Sequence, residues 1–338
     1  MRPASPCFAV ALSMLLAAPA PANDTSAGWS VGGLIFLHDG RIAMESEDLV
    51  LGPEQVQVDY VFRNLTDAPV DTLVAFPLPG VGAPDDSIDR PPLAADPGGR
   101  FLDFVTEVEG RPVAMQVETR ARLAGLDVTD RLAALSVPLL PYPPATVAAI
   151  AALPGEARST LRHDLLIDAD DRPRWTLHVT FWWRQTFPPA TEIHIRHRYR
   201  PLTGGSVDLP VGMWAPGHEP FPEARDAVEA LRRAHCVEPG TEAAMRAQAR
   251  GGTSLPPHQF SARTLGYVLN TGANWSGPIR DFHLRVQASR PEDVVFLCLD
   301  GSRRVAQDVI EAHLIDFTPT HDLQVLFGEA VGPGMPRN

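Results

Sequence analysis

The amino-acid sequence predicts a mainly β protein (α+β by content) with two antiparallel β-sandwich-like units, a small helical insertion and a helical connector. Three observations support this fold class. Apolar and polar residues alternate in many short segments, which is the period of half-buried strands. Turn-forming residues separate those segments, and helical signals cluster in two regions. Short strands joined by turns are typical of β-sandwiches.

Residues 1–22 have the three parts of a secretory signal peptide. Arg2 supplies the positive start, residues 8–18 form an apolar segment, and Ala20-Pro21-Ala22 provides a small-residue cleavage site. We expect cleavage after Ala22 and a periplasmic or secreted mature protein. The apolar segment is too short to span a bilayer, and no later segment reaches about 18 apolar residues, so we expect no membrane span.

The N-terminal β-sandwich is predicted over residues 23–206. Its strands are recognised by their two-residue alternation, and they end at turn residues or prolines. They cover residues 55–63, 70–76, 101–119, 175–183 and 193–199, with a surface loop at residues 83–100.

A helical insertion interrupts this unit at about residues 123–172, and a helical connector occupies residues 207–255. Capping residues and prolines at first helical positions mark where the helices begin. They are predicted at residues 129–135, 144–153 and 156–166 in the insertion and at 222–234 and 241–250 in the connector. The two-residue period then returns and predicts a C-terminal β unit over residues 256–330.

The segment from Trp175 to Tyr199 is predicted to form a β-hairpin with one apolar face. His197 lies on that face, and we interpret it as a core histidine that hydrogen bonds to a neighbour. His178 and His194 lie on the outward face, where the hairpin would bring them close together. His194 and His197 point to opposite faces of one strand, so they cannot share a metal ion without distortion.

Signal cleavage removes Cys7 and leaves two cysteines, Cys236 and Cys298. An even pair in an oxidising compartment predicts a disulfide. The bridge would close a loop of about 60 residues, which chain entropy values at about 4 kcal/mol before strain is subtracted. The alternative is two separate buried thiols.

Composition and motifs exclude several classes of function. The formal charge is −12, and all 29 basic residues are arginine. This charge disfavours a dedicated nucleic-acid or anionic-membrane binder, and the lack of lysine excludes lysine-dependent chemistry. The sequence has no nucleophile-elbow, zinc-protease, P-loop or dinucleotide motif. We therefore assign no catalytic, cofactor-binding or metal-ligating residue and expect no cofactor.

Several segments carry a resemblance to a known family. They include Phe76-Pro77-Leu78-Pro79 and Gly272-Ala273-Asn274-Trp275, within residues 46–49, 60–64, 73–79, 185–188, 197–201 and 271–279. Together they resemble a family of exported bacterial proteins known only as a domain of unknown function, and they cover nearly the whole mature chain. The resemblance implies no activity and no site residues. Residues 58–117 are also similar to the vault and inter-α-trypsin type of β-sandwich, which implies an interaction module.

Three hypotheses about function stay open. The one we favour is a non-catalytic protein of the cell envelope that binds an unknown envelope protein or a small ligand. The second is a periplasmic hydrolase or metal-dependent enzyme whose site is assembled from distant His, Asp and Glu residues. The third is a carbohydrate-binding module, which requires Trp182, Trp214 or Trp275 to be exposed in a row.

Overall fold

The computed structural model describes residues 24–30, 33–82, 101–142, 144–206, 209–214, 217–219, 221–250 and 260–331. The predicted signal peptide and the predicted loop at residues 83–100 lie outside these residues. Within them the protein is mainly β with β-sandwich-like packing, which confirms the predicted fold class.

Several strands, such as β4 and β11 listed below, alternate between more and less buried residues, which is why the two-residue period identifies them. The strands are β1 (Thr25–Ser30), β2 (Gly33–Leu37), β3 (Ile42–Leu51), β4 (Val56–Asn64), β5 (Val70–Pro77), β6 (Val105–Val108), β7 (Arg111–Pro112), β8 (Gln116–Leu123), β9 (Leu126–Asp127), β10 (Thr176–Phe187), β11 (Glu192–Tyr199), β12 (Thr203–Ser206), β13 (Phe260–Tyr267), β14 (Ile279–Gln287), β15 (Val294–Leu297), β16 (Arg303–Ala306), β17 (Val309–Phe317) and β18 (Leu323–Ala330). The helices are α1 (Thr129–Ala134), α2 (Pro144–Ala152), α3 (Gly155–His163), α4 (Pro222–Ala234) and α5 (Pro239–Arg250).

These strands form a six-stranded sheet (β2-β1-β5-β10-β8-β9), an eight-stranded sheet (β16-β17-β14-β3-β4-β11-β6-β7) and a four-stranded sheet (β12-β13-β18-β15). Strand pairs are antiparallel, except that β3 and β14 pair in parallel. The eight-stranded sheet therefore contains strands from both sides of the helical connector. The division into two units at residues 207–255 stays a prediction about domains.

One face of the eight-stranded sheet packs against the other two sheets. The main core contains Val58 and Tyr60 of β4, Phe181 of the six-stranded sheet and Tyr267 of the four-stranded sheet. Along β11, buried and exposed residues alternate without exception. We call the other face, which carries the exposed residues of β3, β4, β11, β14 and β17, the open face.

The predicted hairpin between Trp175 and Tyr199 is wrong. β10 pairs with β5 and β8 in the six-stranded sheet, whereas β11 pairs with β4 and β6 in the eight-stranded sheet. Residues 188–191 carry the chain from one sheet to the other, so the two apolar faces meet across the core. The ring centres of Trp183 and His197 lie 5.6 Å apart there. Alternation identifies the buried face of a strand but not its hydrogen-bonded neighbour.

His197 is confirmed as a buried core histidine. Its Nδ1 lies 2.8 Å from Oγ1 of Thr106, and its Nε2 lies 3.1 Å from Oδ1 of Asp24. His197 and Asp24 are fully buried. Burial raises the pKa of the Asp24 carboxyl group, and the nearby His197 opposes that increase. This contact ties the residue before β1 to the eight-stranded sheet.

The predicted helices form, and they pack against the smaller sheets. α1, α2 and α3 enclose a cluster that includes Ile150 and Trp175, and the Trp175 indole Nε1 donates to the carbonyl oxygen of Leu139 at 2.7 Å. α4 and α5 pack against the four-stranded sheet through Val228 and Met245. The longest helix of the described residues, α4, has 13 residues, fewer than a helical membrane span needs.

A disulfide joins Cys236, just after α4, to Cys298, just after β15, with 5.1 Å between their Cα atoms. It attaches the predicted helical connector to the four-stranded sheet, at a sequence separation of 62 residues. A crosslink of this span restricts the unfolded chain and so stabilises the folded one.

Replacing His197 by Ala should lower the free energy of unfolding by about 2–4 kcal/mol, because it leaves a cavity and removes both hydrogen bonds of the ring. Thermal and denaturant unfolding measure this change. The matched control is His194→Ala on the exposed face of the same strand, which should change stability by less than about 0.5 kcal/mol. Equal stability of the two variants would contradict the placement of His197.

Non-reducing peptide mapping of the mature protein should recover Cys236 and Cys298 in one crosslinked peptide. The double variant Cys236→Ser, Cys298→Ser should lose up to about 4 kcal/mol of stability, because its unfolded chain is less restricted. Reductant should destabilise the wild type and leave the double variant unchanged. Two thiols that alkylate without prior reduction would contradict the pairing.

Candidate metal centre

The candidate site lies on the open face, where three neighbouring strands place polar side chains in rows. Asp48 of β3, His283 of β14 and His313 of β17 stand side by side in one row. In the next row, about 7 Å along the strands, Arg285 of β14 stands opposite Glu311 of β17. Arg303 of β16 continues that second row beside Glu311.

The burial pattern of β14 and β17 explains why these side chains face solvent. Phe282 and Leu284 on β14 and Ala312 on β17 are buried in the core between the sheets. Because successive residues of a strand point to opposite faces, Asp281, His283 and His313 must then point away from the core.

Three of these side chains, Asp281, His283 and His313, converge closely enough to hold one ion, and we call them the His–Asp cluster. Each offers one ligand atom, and these atoms lie within 4.8 Å of one another. Nε2 of His313 lies 2.7 Å from Oδ1 of Asp281, and Nε2 of His283 lies 3.4 Å from the same oxygen. The two imidazole rings are 4.1 Å apart between centres. Asp281 and His283 are two residues apart on β14, and His313 lies opposite His283 on β17. The three side chains therefore point at one position.

Asp48 supports the cluster from the adjacent parallel strand. Its Oδ1 lies 2.8 Å from Nδ1 of His283. A carboxylate that accepts a hydrogen bond from Nδ1–H holds the imidazole in the tautomer whose Nε2 lone pair is available to a metal. Asp48, His283 and the point of convergence thus have the order of a carboxylate–histidine–metal arrangement.

The site is open to solvent. The side chains of Asp281, His283 and His313 are 44%, 45% and 58% exposed, respectively. Both histidines line an open depression of about 290 Å³, together with Arg285 and Arg303. Solvent can therefore reach any ion at this point directly.

The donor set determines which ions suit the cluster. Two imidazole nitrogens and one carboxylate oxygen are ligands for Zn²⁺, Cu²⁺, Ni²⁺ and Co²⁺, whereas Mg²⁺ and Ca²⁺ prefer oxygen ligands alone. Three protein ligands leave at least one position of a tetrahedral ion to water or to a further ligand.

Sequence reasoning named no metal ligand and missed this cluster. Asp281 and His283 belong to an alternation that is visible in the sequence, and only their outward direction follows from it. His313 lies thirty residues further on, and nothing in the residue pattern shows that β17 pairs with β14 in the register that sets His313 opposite His283. The parallel pairing that brings Asp48 beside them is of still longer range.

The histidines that sequence reasoning paired are not brought together. His178 lies on β10 in the six-stranded sheet and His194 on β11 in the eight-stranded sheet, because the predicted hairpin does not form. His178 is partly buried, and that burial, together with the charge of Arg122, lowers the pKa of its ring. The tryptophans do not form the exposed row that a carbohydrate site requires. Trp275 is fully buried and donates from Nε1 to the backbone oxygen of Asp24, and Trp182 and Trp214 are partly buried against two different hydrophobic clusters.

Fold and site together define a mainly β protein with a solvent-facing His–Asp cluster on the open face of its largest described sheet. The chain belongs to the family described as domain of unknown function DUF4424, whose profile matches residues 22–326. This confirms the family resemblance of the sequence. No curated protein matches the chain.

Solved structures resemble the chain distantly. A candidate nutrient binding protein from Legionella pneumophila subsp. pneumophila str. Philadelphia 1 has 14% identity and a TM-score of 0.43, over 91% of this chain and 70% of that one. A mutant M1 zinc metallopeptidase from Deinococcus radiodurans with a Tyr-Ser-Ala substrate has 8% identity and a TM-score of 0.22, over 87% and 44%. A mutant two-domain M1 zinc metallopeptidase with L-arginine has 8% identity and a TM-score of 0.21, over 86% and 43%. The chain spans less than half of each metallopeptidase, and likenesses this weak carry no functional conclusion.

The His–Asp cluster should contribute little to folding, because exposed ion pairs are worth little in water. His283→Ala and His313→Ala should each change the free energy of unfolding by less than about 0.5 kcal/mol. Denaturant unfolding in the presence of a chelator measures this. A loss above about 1 kcal/mol in either variant would show that the cluster serves the fold instead.

Proposed function

We propose that the protein is an exported, non-catalytic binding protein of the bacterial cell envelope whose ligand is a divalent first-row transition-metal ion. The observation that carries this proposal is the convergence of Asp281, His283 and His313 on one point of the open face, with Asp48 behind His283. Three adjacent strands of a sheet fix the backbone positions of these side chains, so less order has to be gained when an ion binds than at a site built on loops.

Export is the part of the proposal that rests on the sequence. Residues 1–22 have the organisation of a signal peptide, and cleavage after Ala22 would release the mature chain. The disulfide between Cys236 and Cys298 agrees with an oxidising compartment, where such bonds persist.

The exposure of the cluster favours binding over catalysis. A metal-bound water that attacks a substrate works best in a site that excludes bulk solvent, because electrostatic effects are strong there. Each of the three ligands is more than two-fifths exposed, and the depression around His283 and His313 is open to solvent. Such a site suits reversible capture of an ion from solution.

Isothermal titration of the metal-free mature protein should show one Zn²⁺ bound per chain. Asp281→Ala, His283→Ala and His313→Ala should each weaken binding by more than about tenfold, because each removes one of three ligands. Asp48→Asn should weaken it by about tenfold through loss of the carboxylate that orients His283. Mg²⁺ and Ca²⁺ should not compete.

The matched control is His194→Ala, which removes an exposed histidine from the same face of the same sheet and should leave Zn²⁺ binding unchanged. Native mass spectrometry of protein purified gently from the periplasm of its host would show which ion is carried. The site would be overturned if Zn²⁺ affinity were unchanged in each of the three single ligand variants, or if Zn²⁺ binding were lost in His194→Ala.

A further inference from the structure

Two arginines line the same depression as the histidines and share a single carboxylate. Glu311 forms ion pairs with Arg285 and, at 3.6 Å, with Arg303. Gln287 accepts a further hydrogen bond from Nε of Arg285 at 3.2 Å. Arg303 is the less constrained of the two, since its side chain is 78% exposed and its contact with Glu311 is long.

The charge balance of the depression changes sign when a metal binds. With Asp281 included, its charged side chains are three carboxylates (Asp48, Asp281 and Glu311) and two guanidinium groups (Arg285 and Arg303). With neutral imidazoles, the net charge is −1 without metal. A divalent ion makes it +1, so the loaded site attracts an anion where the metal-free site repels one.

Geometry adds a second requirement. The point at which the His–Asp cluster would hold a metal ion lies between the row of Asp281 and the row of His283 and His313. The guanidinium groups belong to the row on the other side of His283, at least about 7 Å along the strands from this point. An anion that fills the open position on the metal and also reaches Arg303 needs two acceptor groups a few ångströms apart. A guanidinium binds a carboxylate through paired hydrogen bonds, which suits the second of those groups.

We propose that the metal-loaded site takes a small dicarboxylate, with one carboxylate on the metal ion and the other on Arg303, assisted by Arg285. The proposal rests on the metal-binding function proposed above. The ligand of the protein is then the metal together with its organic anion, and the metal-free chain does not bind the anion. Arg303 determines specificity and is not needed to hold the metal.

The test uses mature protein loaded with Co²⁺ and freed of excess metal, because the visible absorption of Co²⁺ reports changes in its ligands. Malonate is the probe. We expect malonate to change that spectrum and to bind the loaded protein at least tenfold more tightly than acetate, with no binding to metal-free protein. Arg303→Ala should weaken malonate binding at least tenfold, leave Co²⁺ affinity unchanged and leave acetate binding unchanged.

The control is Arg196→Ala, which removes an arginine of the same open face that pairs with Asp59 and lies outside the depression. It should leave malonate binding unchanged. Equal malonate affinity in the wild type and Arg303→Ala would overturn the proposal, as would acetate or inorganic phosphate binding as tightly as malonate. If malonate binding fails the test in one of these ways but Co²⁺ still binds, only the dicarboxylate proposal fails and the proposed metal-binding function is retained. If Co²⁺ does not bind, both proposals fail.

Discussion

The burial of one face of the eight-stranded sheet is the constraint on which the rest of the structure depends. Two other sheets cover that face, and the main core contains residues of all three, such as Leu49, Phe181 and Val325. Because side chains alternate along a strand, burying one face exposes the other. The open face is therefore free to carry charged groups that the core would not tolerate. Its arginines and carboxylates satisfy one another across neighbouring strands, as Arg196 and Asp59 do.

Within the buried layer, a few polar groups link distant parts of the chain. Asp24, at the start of the described chain, contacts His197 of β11. The hydroxyl groups of Tyr60 and Tyr267 lie 3.2 Å apart in the core. The Tyr267 hydroxyl also donates to Oε1 of the buried Glu47 at 3.3 Å. Burial raises the pKa of both tyrosines well above its ordinary value. Such contacts require one relative placement of the sheets, since a shifted packing would leave the groups buried without partners.

The candidate site uses the same regularity for a different purpose. A sheet holds neighbouring residues at fixed spacings, so backbone hydrogen bonds set the positions of Asp281, His283 and His313 on their strands. Contacts with Asp48 and within the cluster then orient the side chains. This separation explains how a binding site can lie on the surface while stability resides in the core. The strand repeat also sets the distance from the cluster to the arginines of the second row, which would limit the size of an anion shared between a bound metal ion and Arg303.

The sequence by itself determined the class of the fold, the helices, the buried faces of β4, β10, β11 and β14, and the core position of His197. It also showed which two cysteines are available for a disulfide. These are properties of local period, capping and cysteine number. Only the tertiary structure decided that β10 and β11 lie in different sheets, that Trp275 is buried, and that His283, His313 and Asp48 form one row. Strand order and register depend on contacts between residues far apart in the chain, and alternation is the same whichever neighbour a strand has.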